Sequence, residues 1–408
     1  MPAATASARA RIKTTPVNSA STVPPPRGGA SRAAEPAPTY TGPSGESART
    51  VAVGVRRVKK TRPLGGGGAA YTRAVSTPVA VLGGGSFGTC LAVLAARKHD
   101  VVLWARDPRV VEGVNRDHAN PRYLRDIPLP DSLRATGDLA EALAGRELVI
   151  VSVPSHAVRP LLAGALPHLA AGAVLVATMK GIEIETGMTM NQVFEDVLPA
   201  EMHPRVVYLS GPSFAREIAE HKPTAVTLAS HEENYAVSVQ MSLSTPWFRC
   251  YSHHDVIGVE VGGALKNVVA IAVGMCDGLE MGLNARAGLM TRGLREITRL
   301  GVRLGANPLT FQGLSGMGDL VLTCTGDLSR NRRVGLELGR GKSLAEIIGG
   351  MDEVAEGVKT TYAVCRLAAR LGVEMPIAEA VRAVLDGQMG PKEAGFALLS
   401  RQLRTELE

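Results

Sequence analysis

Residues 78–89 read Pro78-Val-Ala-Val-Leu82-Gly83-Gly84-Gly85-Ser86-Phe87-Gly88-Thr89. A short apolar run, Pro78–Leu82, enters a glycine-rich turn, and a helical pattern over Ser86–Lys98 leaves it. A second apolar run, Val101–Trp104, follows. This strand–turn–helix–strand order gives Gly83-x-Gly85-x-x-Gly88 its meaning. Gly83 permits the tight turn, Gly85 lets backbone amides approach a pyrophosphate, and Gly88 lets helix and strand pack closely. The amide-rich N-terminus of the helix then faces the phosphates with its partial positive charge. The stretch therefore predicts a nicotinamide-dinucleotide site at the opening of a Rossmann domain.

Working outward, further apolar runs lie at Leu148–Val153, Ala173–Ala177, Val206–Leu209 and Thr224–Leu228, with helical stretches between them. Such alternation predicts a mainly parallel sheet covered on both faces. Beyond about residue 255 the texture changes to longer helical patterns: Val256–Met275, Ala285–Leu304, Leu344–Ile348 and Val358–Leu371. The expected fold class is an α/β Rossmann domain over residues 78–253 followed by an all-α domain over 254–408. With 408 residues the chain can build two cores, since single cores rarely grow past roughly 250 residues.

The net charge of +7 is unevenly placed. Residues 1–77 carry twelve of the 45 bases and only two acids, Glu35 and Glu46, leaving 33 bases against 36 acids over residues 78–408. The folded part is thus slightly acidic, which argues against a nucleic-acid partner, as does an aromatic content of 4%. Residues 1–77 are rich in Ala, Ser, Thr, Pro and Gly and lack an apolar h-region. They read as an unstructured leader of the organelle transit type, with plastid favoured over mitochondrion; a basic nucleic-acid-binding tail is the alternative. The five cysteines, Cys90, Cys250, Cys276, Cys324 and Cys365, form no CxxC pair and suit a reduced compartment. No apolar run reaches the roughly 18 uninterrupted residues of a membrane span, and no metal-ligand cluster is visible.

The second predicted strand ends in Arg106-Asp107. Asp107 could accept the ribose hydroxyl and favour NAD; Arg106 could meet a 2′-phosphate and favour NADP, or stack on adenine. The two readings stay open. A second turn, Ser152-Val153-Pro154-Ser155, lies at another strand end and flanks the cofactor or is an ordinary loop. Three further segments carry chemistry. Lys180, just after Ala173–Ala177, faces the ligand crevice or is a solvated loop residue. Lys266 sits in an apolar helix, where desolvation would bring its pKa toward neutrality and suit proton transfer; a snorkelling lysine is the alternative. Gly316-Met317-Gly318-Asp319, Thr323 and Ser329-Arg330-Asn331-Arg332-Arg333 add an acid and an arginine fork able to grip a phosphate, or form a basic loop. A hydride cofactor beside this cationic set suits a phosphorylated, carbonyl-bearing substrate.

The chain resembles the bacterial and plastid type of NAD(P)-dependent glycerol-3-phosphate dehydrogenase over about residues 78–398. The carrying motifs are GGGSFGT at 83–89, NPRYL at 120–124, GPSFAREI at 211–218, GVEVGGALKN at 258–267, GLSGMGDLVLTC at 313–324 and SRNRRVG at 329–335. The resemblance implies reduction of dihydroxyacetone phosphate to sn-glycerol 3-phosphate, supplying glycerolipid synthesis, with NAD(H) or NADP(H) as cofactor and a homodimer formed through the helical domain. It implies Lys266 as proton donor and acceptor, with Lys180 and Asp319 completing the catalytic set. Substrate contacts fall to Lys180, Gly211, Ser213, Asp319, Thr323, Ser329, Arg330 and Asn331. Cofactor contacts fall to Gly83, Gly85, Ser86, Phe87, Gly88, Arg106, Lys180, Ala215, Arg330, Val354 and Glu356. A β-hydroxyacid dehydrogenase of related architecture and a non-catalytic NAD-sensing module are the alternatives.

Overall fold

The computed structural model describes residues 76–351, 355–403 and 405–406. The proposed leader, up to residue 75, lies outside the described residues, as does Val354.

Eight strands form one sheet: β1 (Pro78–Leu82), β2 (Asp100–Trp104), β3 (Arg134–Thr136), β4 (Leu148–Val151), β5 (Val174–Ala177), β6 (Val206–Ser210), β7 (Thr224–Ala229) and β8 (Phe248–His253). Their spatial order is β3-β2-β1-β4-β5-β6-β7-β8. Every neighbouring pair is parallel except β6 with β7. The order reverses between β1 and β4, which pair in register from Val79 opposite Leu148. That reversal opens the ligand crevice of a doubly wound sheet at the carboxyl ends of these strands.

The helices α1 (Ser86–Ala95), α2 (Pro108–Asp117), α6 (Ala215–Ala219) and α7 (Glu233–Leu243) share one apolar core with the sheet. On the other face lie α3 (Leu139–Leu143), α4 (Val158–Ala165) and α5 (Met190–Val197). The six apolar runs read from sequence all became strands. The two unforeseen strands are edges, where continuous apolarity is not required. In β8, Phe248 and Cys250 are buried while Arg249 and Tyr251 are exposed, the alternation of a strand with one wet face.

The rest of the chain is helical: α8 (Val256–Gly278), α9 (Leu283–Arg303), α10 (Asp319–Thr325), α11 (Arg330–Gly339), α12 (Leu344–Gly349), α13 (Glu356–Leu371), α14 (Pro376–Leu385) and α15 (Pro391–Leu399). Asp255 caps α8 by accepting from Gly258 N at 2.9 Å, and its other oxygen accepts from Thr310 Oγ1 at 2.6 Å. The first turn of α8 belongs to the sheet's core through Val256 and Val259; its remainder is the axis of the helical core.

By length and composition α8 would pass for a membrane-crossing helix, but 89% of its apolar window is buried inside the protein, which is consistent with the sequence reading of no membrane segment. It is instead a buried core helix, and each of its charges has a partner. Glu260 accepts from Asn191 N at the start of α5, Lys266 meets Asp319, and Asp277 pairs with Arg286 and Arg332.

Small residues set how α8 meets α11. A Cβ on Gly274 would lie 2.1 Å from Arg332 O, and one on Gly335 would lie 2.0 Å from Ile271 O. Gly278 and Gly339 continue the same seam. Backbone thus touches backbone, which fixes the start of α11 against the middle of α8.

Candidate active site

The glycine turn behaves as its spacing requires. Gly83 has φ +129°, and a Cβ there would sit 2.2 Å from Ser152 O, at the end of β4. A Cβ on Gly88 would sit 1.9 Å from Gly83 O, so α1 packs onto β1 only without a side chain. Around Gly85, in contrast, nothing lies within 4 Å of that position. The opening is on the crevice side, at the N-cap of α1, where no side chain caps the helix. An open cradle of backbone amides at a helix N-terminus is the donor set a pyrophosphate needs. Ser86 and Phe87 form the first turn of α1, Arg106 lies exposed past β2, and Ala215 opens α6.

The second half of the site is scattered in sequence from Lys180 to Asp319, yet the fold brings its parts together. Lys180 follows β5, Gly211 and Ser213 follow β6, Lys266 lies mid-way along α8, and Asp319 begins α10. Asp319 is 1% exposed and receives both lysines: Lys266 Nζ donates to Oδ1 at 2.5 Å, and Lys180 Nζ donates to Oδ2 at 2.8 Å. Lys266 also donates to Thr323 Oγ1 at 2.8 Å. Two of its three donors are thereby engaged, and the third can meet a ligand oxygen. Burial pulls the Lys266 ammonium down to about 8; Asp319 opposes that shift and the neighbouring Lys180 adds to it. The snorkelling alternative is thus set aside, since Lys266 is 7% exposed.

Lys180 is not a solvated loop residue either. It donates to Gly211 O at 2.8 Å, to Ser213 Oγ at 3.2 Å and to Asp319. All three donors are used within the protein, so its first task is to tie the ends of β5 and β6 to α10. A substrate contact requires exchange of one of these bonds.

The SRNR segment divides its labour. Ser329 Oγ caps α11 by accepting from Arg332 N at 3.2 Å, leaving its O–H as a donor. Asn331 is buried, donating to Asn267 Oδ1 at 2.9 Å and accepting from Gly357 N at 2.9 Å. It therefore orients ALKN and the start of α13. Arg330 is exposed at the first position of α11. Arg332 reaches away from the site to Asp277. Glu356 accepts from Ser155 N at 3.2 Å, joining the second turn to α13. Burial raises its carboxyl, against the pull of that amide and of Arg330, Lys266 and Lys180.

Several contributors were not foreseen from sequence. A π-helical turn, Leu314–Gly318, delivers Asp319; such turns often mark functional positions. Gly262 lets that turn approach, since a Cβ there would be 2.6 Å from Ser315 O. Ser210, 3% exposed, has a hydroxyl without a hydrogen-bond partner among the described residues, and it lies where a Cβ on Gly263 would touch both it and the Lys180 stem. Asn120 is fully buried and bonds Gly84 O and Thr89 Oγ1. In the sequence it stood only as the first residue of NPRYL, a motif of the family resemblance, with no role attached. All five cysteines are free and buried, with Cys324 close enough to Lys266 to feel its charge.

A dinucleotide cradle facing a buried lysine–aspartate–lysine cluster defines a nicotinamide-dependent dehydrogenase. Comparison with known proteins gives the particular one. Residues 78–236 match the family described as NAD-dependent glycerol-3-phosphate dehydrogenase N-terminus, and residues 255–395 match its C-terminus. A glycerol-3-phosphate dehydrogenase [NAD(P)+] of Myxococcus xanthus is 54% identical over 328 residues, covering 80% of this chain and 98% of the relative. Its counterpart in Nitratidesulfovibrio vulgaris is also 54% identical, over 329 residues, covering 80% and 99%. The crystal structure of glycerol-3-phosphate dehydrogenase from Coxiella burnetii superposes with a TM-score of 0.76 at 38% identity, covering 80% of this chain and 99% of that one. The chain belongs to the NAD(P)-dependent glycerol-3-phosphate dehydrogenase family, an oxidoreductase family acting on CH–OH groups. The relatives named here are bacterial and give no support to a plastid address for residues 1–77.

Proposed function

We propose that this enzyme reduces dihydroxyacetone phosphate to sn-glycerol 3-phosphate, with Lys266 as the general acid, and that the product feeds glycerolipid synthesis. The observation that carries the reading is the position of Lys266: buried, brought to a pKa of about 8, and aligned by Asp319 and Thr323. A lysine so placed is charged near neutral pH yet gives up its proton readily. Gly83, Gly85, Ser86, Phe87 and Gly88, with Arg106, Ala215 and Glu356, would hold a nicotinamide dinucleotide, which when bound would supply the hydride. Lys266 donates a proton to the oxygen of the carbonyl as negative charge gathers there, and regains one from solvent afterwards. Lys180 and Asp319 hold Lys266 and its neighbours in place. Arg330 offers the phosphate a two-pronged cation, with Ser329, Asn331, Gly211 and Ser213 as the other substrate contacts in this reading. Exchange of a Lys180 bond from Ser213 to the substrate is part of the proposal.

Lys266→Ala should abolish turnover while largely sparing dinucleotide binding; near-normal kcat would remove Lys266 from this role. Arg330→Ala should raise KM for dihydroxyacetone phosphate steeply, and an unchanged KM would take the phosphate elsewhere. The same reading carries a homodimer formed through the helical region, which sedimentation tests. The bacterial relatives favour a cytoplasmic enzyme. The plastid-leader reading rests on the composition of residues 1–77 alone, and imaging a fluorescent fusion of that segment decides between the two.

A further inference from the structure

The NPRYL loop has no place in the proposed chemistry, yet side-chain hydrogen bonds anchor it at both ends. Asn120 Nδ2 donates to Gly84 O at 3.0 Å and to Thr89 Oγ1 at 2.8 Å, which locks the loop to the dinucleotide turn. Asn120 Oδ1 in turn accepts from Arg122 N and Tyr123 N, both at 3.0 Å. At the loop's other end Asp126 pairs with Arg216, in α6, through two bonds. Between these anchors Arg122 reaches the end of β2 and donates from Nη1 to Asp107 Oδ2 at 2.9 Å.

Asp107 is therefore not the acceptor that a bound ribose diol would find. Its Oδ1 accepts from Arg109 N at 3.0 Å, capping α2, and from Arg109 Nε at 3.1 Å. Its Oδ2 accepts from Arg109 Nη2 and Arg122 Nη1, both at 2.9 Å. A carboxylate offers about four lone-pair sites, and four donors already occupy them. These guanidinium groups hold the Asp107 carboxyl well below the usual range, so it stays charged. Two arginines thus hold one spent carboxylate just past the end of β2, and the exposed Arg106 is its neighbour in the chain.

We propose that Arg122 is a cofactor-specificity residue: with Arg106 and Arg109 it seats a 2′-phosphate, and Asp107 serves to hold these arginines and not to bind ribose. The enzyme accordingly prefers NADP(H) to NAD(H). This rests on the dehydrogenase reading above. The loop's anchors mean that the guanidinium is already in place, so its ordering costs little on binding.

The test is calorimetric titration of the full chain with NADPH and with NADH, without substrate. NADPH should bind at least about tenfold more tightly, and the ratio should shrink as salt rises, because these charges are exposed and screened. Arg122→Ala should weaken NADPH about tenfold and leave NADH within about twofold. Arg109→Ala should move the ratio the same way, and Arg122→Lys should recover part of the loss. Equal affinity for the two nucleotides overturns the assignment while leaving the dehydrogenase reading intact. So does an Arg122→Ala variant that weakens both alike, which would mark a purely structural residue. Failure to bind either nucleotide removes both readings.

Discussion

On the proposed mechanism, Lys266 is the residue through which the site senses pH. Burial lowers its pKa from the usual lysine value to about 8. Reduction needs the protonated form, so kcat for ketone reduction should hold below pH 8 and fall above it. Oxidation of the alcohol needs the neutral form, and its rate should rise through the same point. Asp319→Asn removes the anion that opposes the shift, so both limbs should move to lower pH, visible in paired pH–rate profiles. Limbs that stay put would show that another group titrates. Fold stability carries the same signature with a definite sign: a depressed lysine disfavours the folded state while charged, so stability is regained as pH climbs from 8 toward the unfolded value of 10.5. Much of this was legible in sequence, because a lysine among Val259, Val261, Leu265 and Val268 is anomalous. Its partners could not be read from the residues around it: Asp319 and Thr323 lie more than fifty positions away, only packing joins them, and in the sequence the family resemblance alone pointed to them.

At the scale of elements, the α8–α11 seam governs whether the two halves of SRNR and ALKN meet. Gly274→Ala or Gly335→Ala would push a methyl into a carbonyl about 2 Å away. Such overpacking costs roughly 1–3 kcal/mol, readable as a lower urea midpoint. Because Asn331 bonds Asn267 across this seam, KM for the phosphorylated ketone should rise as well. An effect on stability alone would uncouple the seam from the site. Glu260, at the other end of α8, is pushed up to about 8 by burial. A raised carboxyl supports the fold while protonated, so its contribution fades as pH rises from about 4.5 to 8. Glu260→Gln should flatten the fall of Tm across that window. The main strands and helices could be read from apolar runs and periodicity. The edge strands β3 and β8 could not, because one is three residues long and the other is half wet. The π-helical turn before Asp319 has no sequence pattern separable from an ordinary glycine-rich loop.

Across the whole molecule, the three cores and both halves of the site lie within residues 76–403. The family match begins at residue 78. A chain starting at residue 77 should therefore fold and turn over like the full chain, in an initial-rate assay with dihydroxyacetone phosphate. A large loss of Tm or kcat would give the first 76 residues a structural role. That assay also compares NADH with NADPH directly. The basic pI of 9.3 misleads at this scale: the charge that produces it is concentrated before residue 78.

The bridge made by Asp319 has a practical use. It clips a lysine borne by the sheet to a lysine borne by a helix, and the only covalent link between the two supports at that level is the short connector from β8 to α8. Cutting the chain there yields two pieces, each with one member of the lysine pair and neither with a working centre. Turnover would then report their reassociation, which makes this enzyme a natural starting point for a split reporter whose signal is its own reaction.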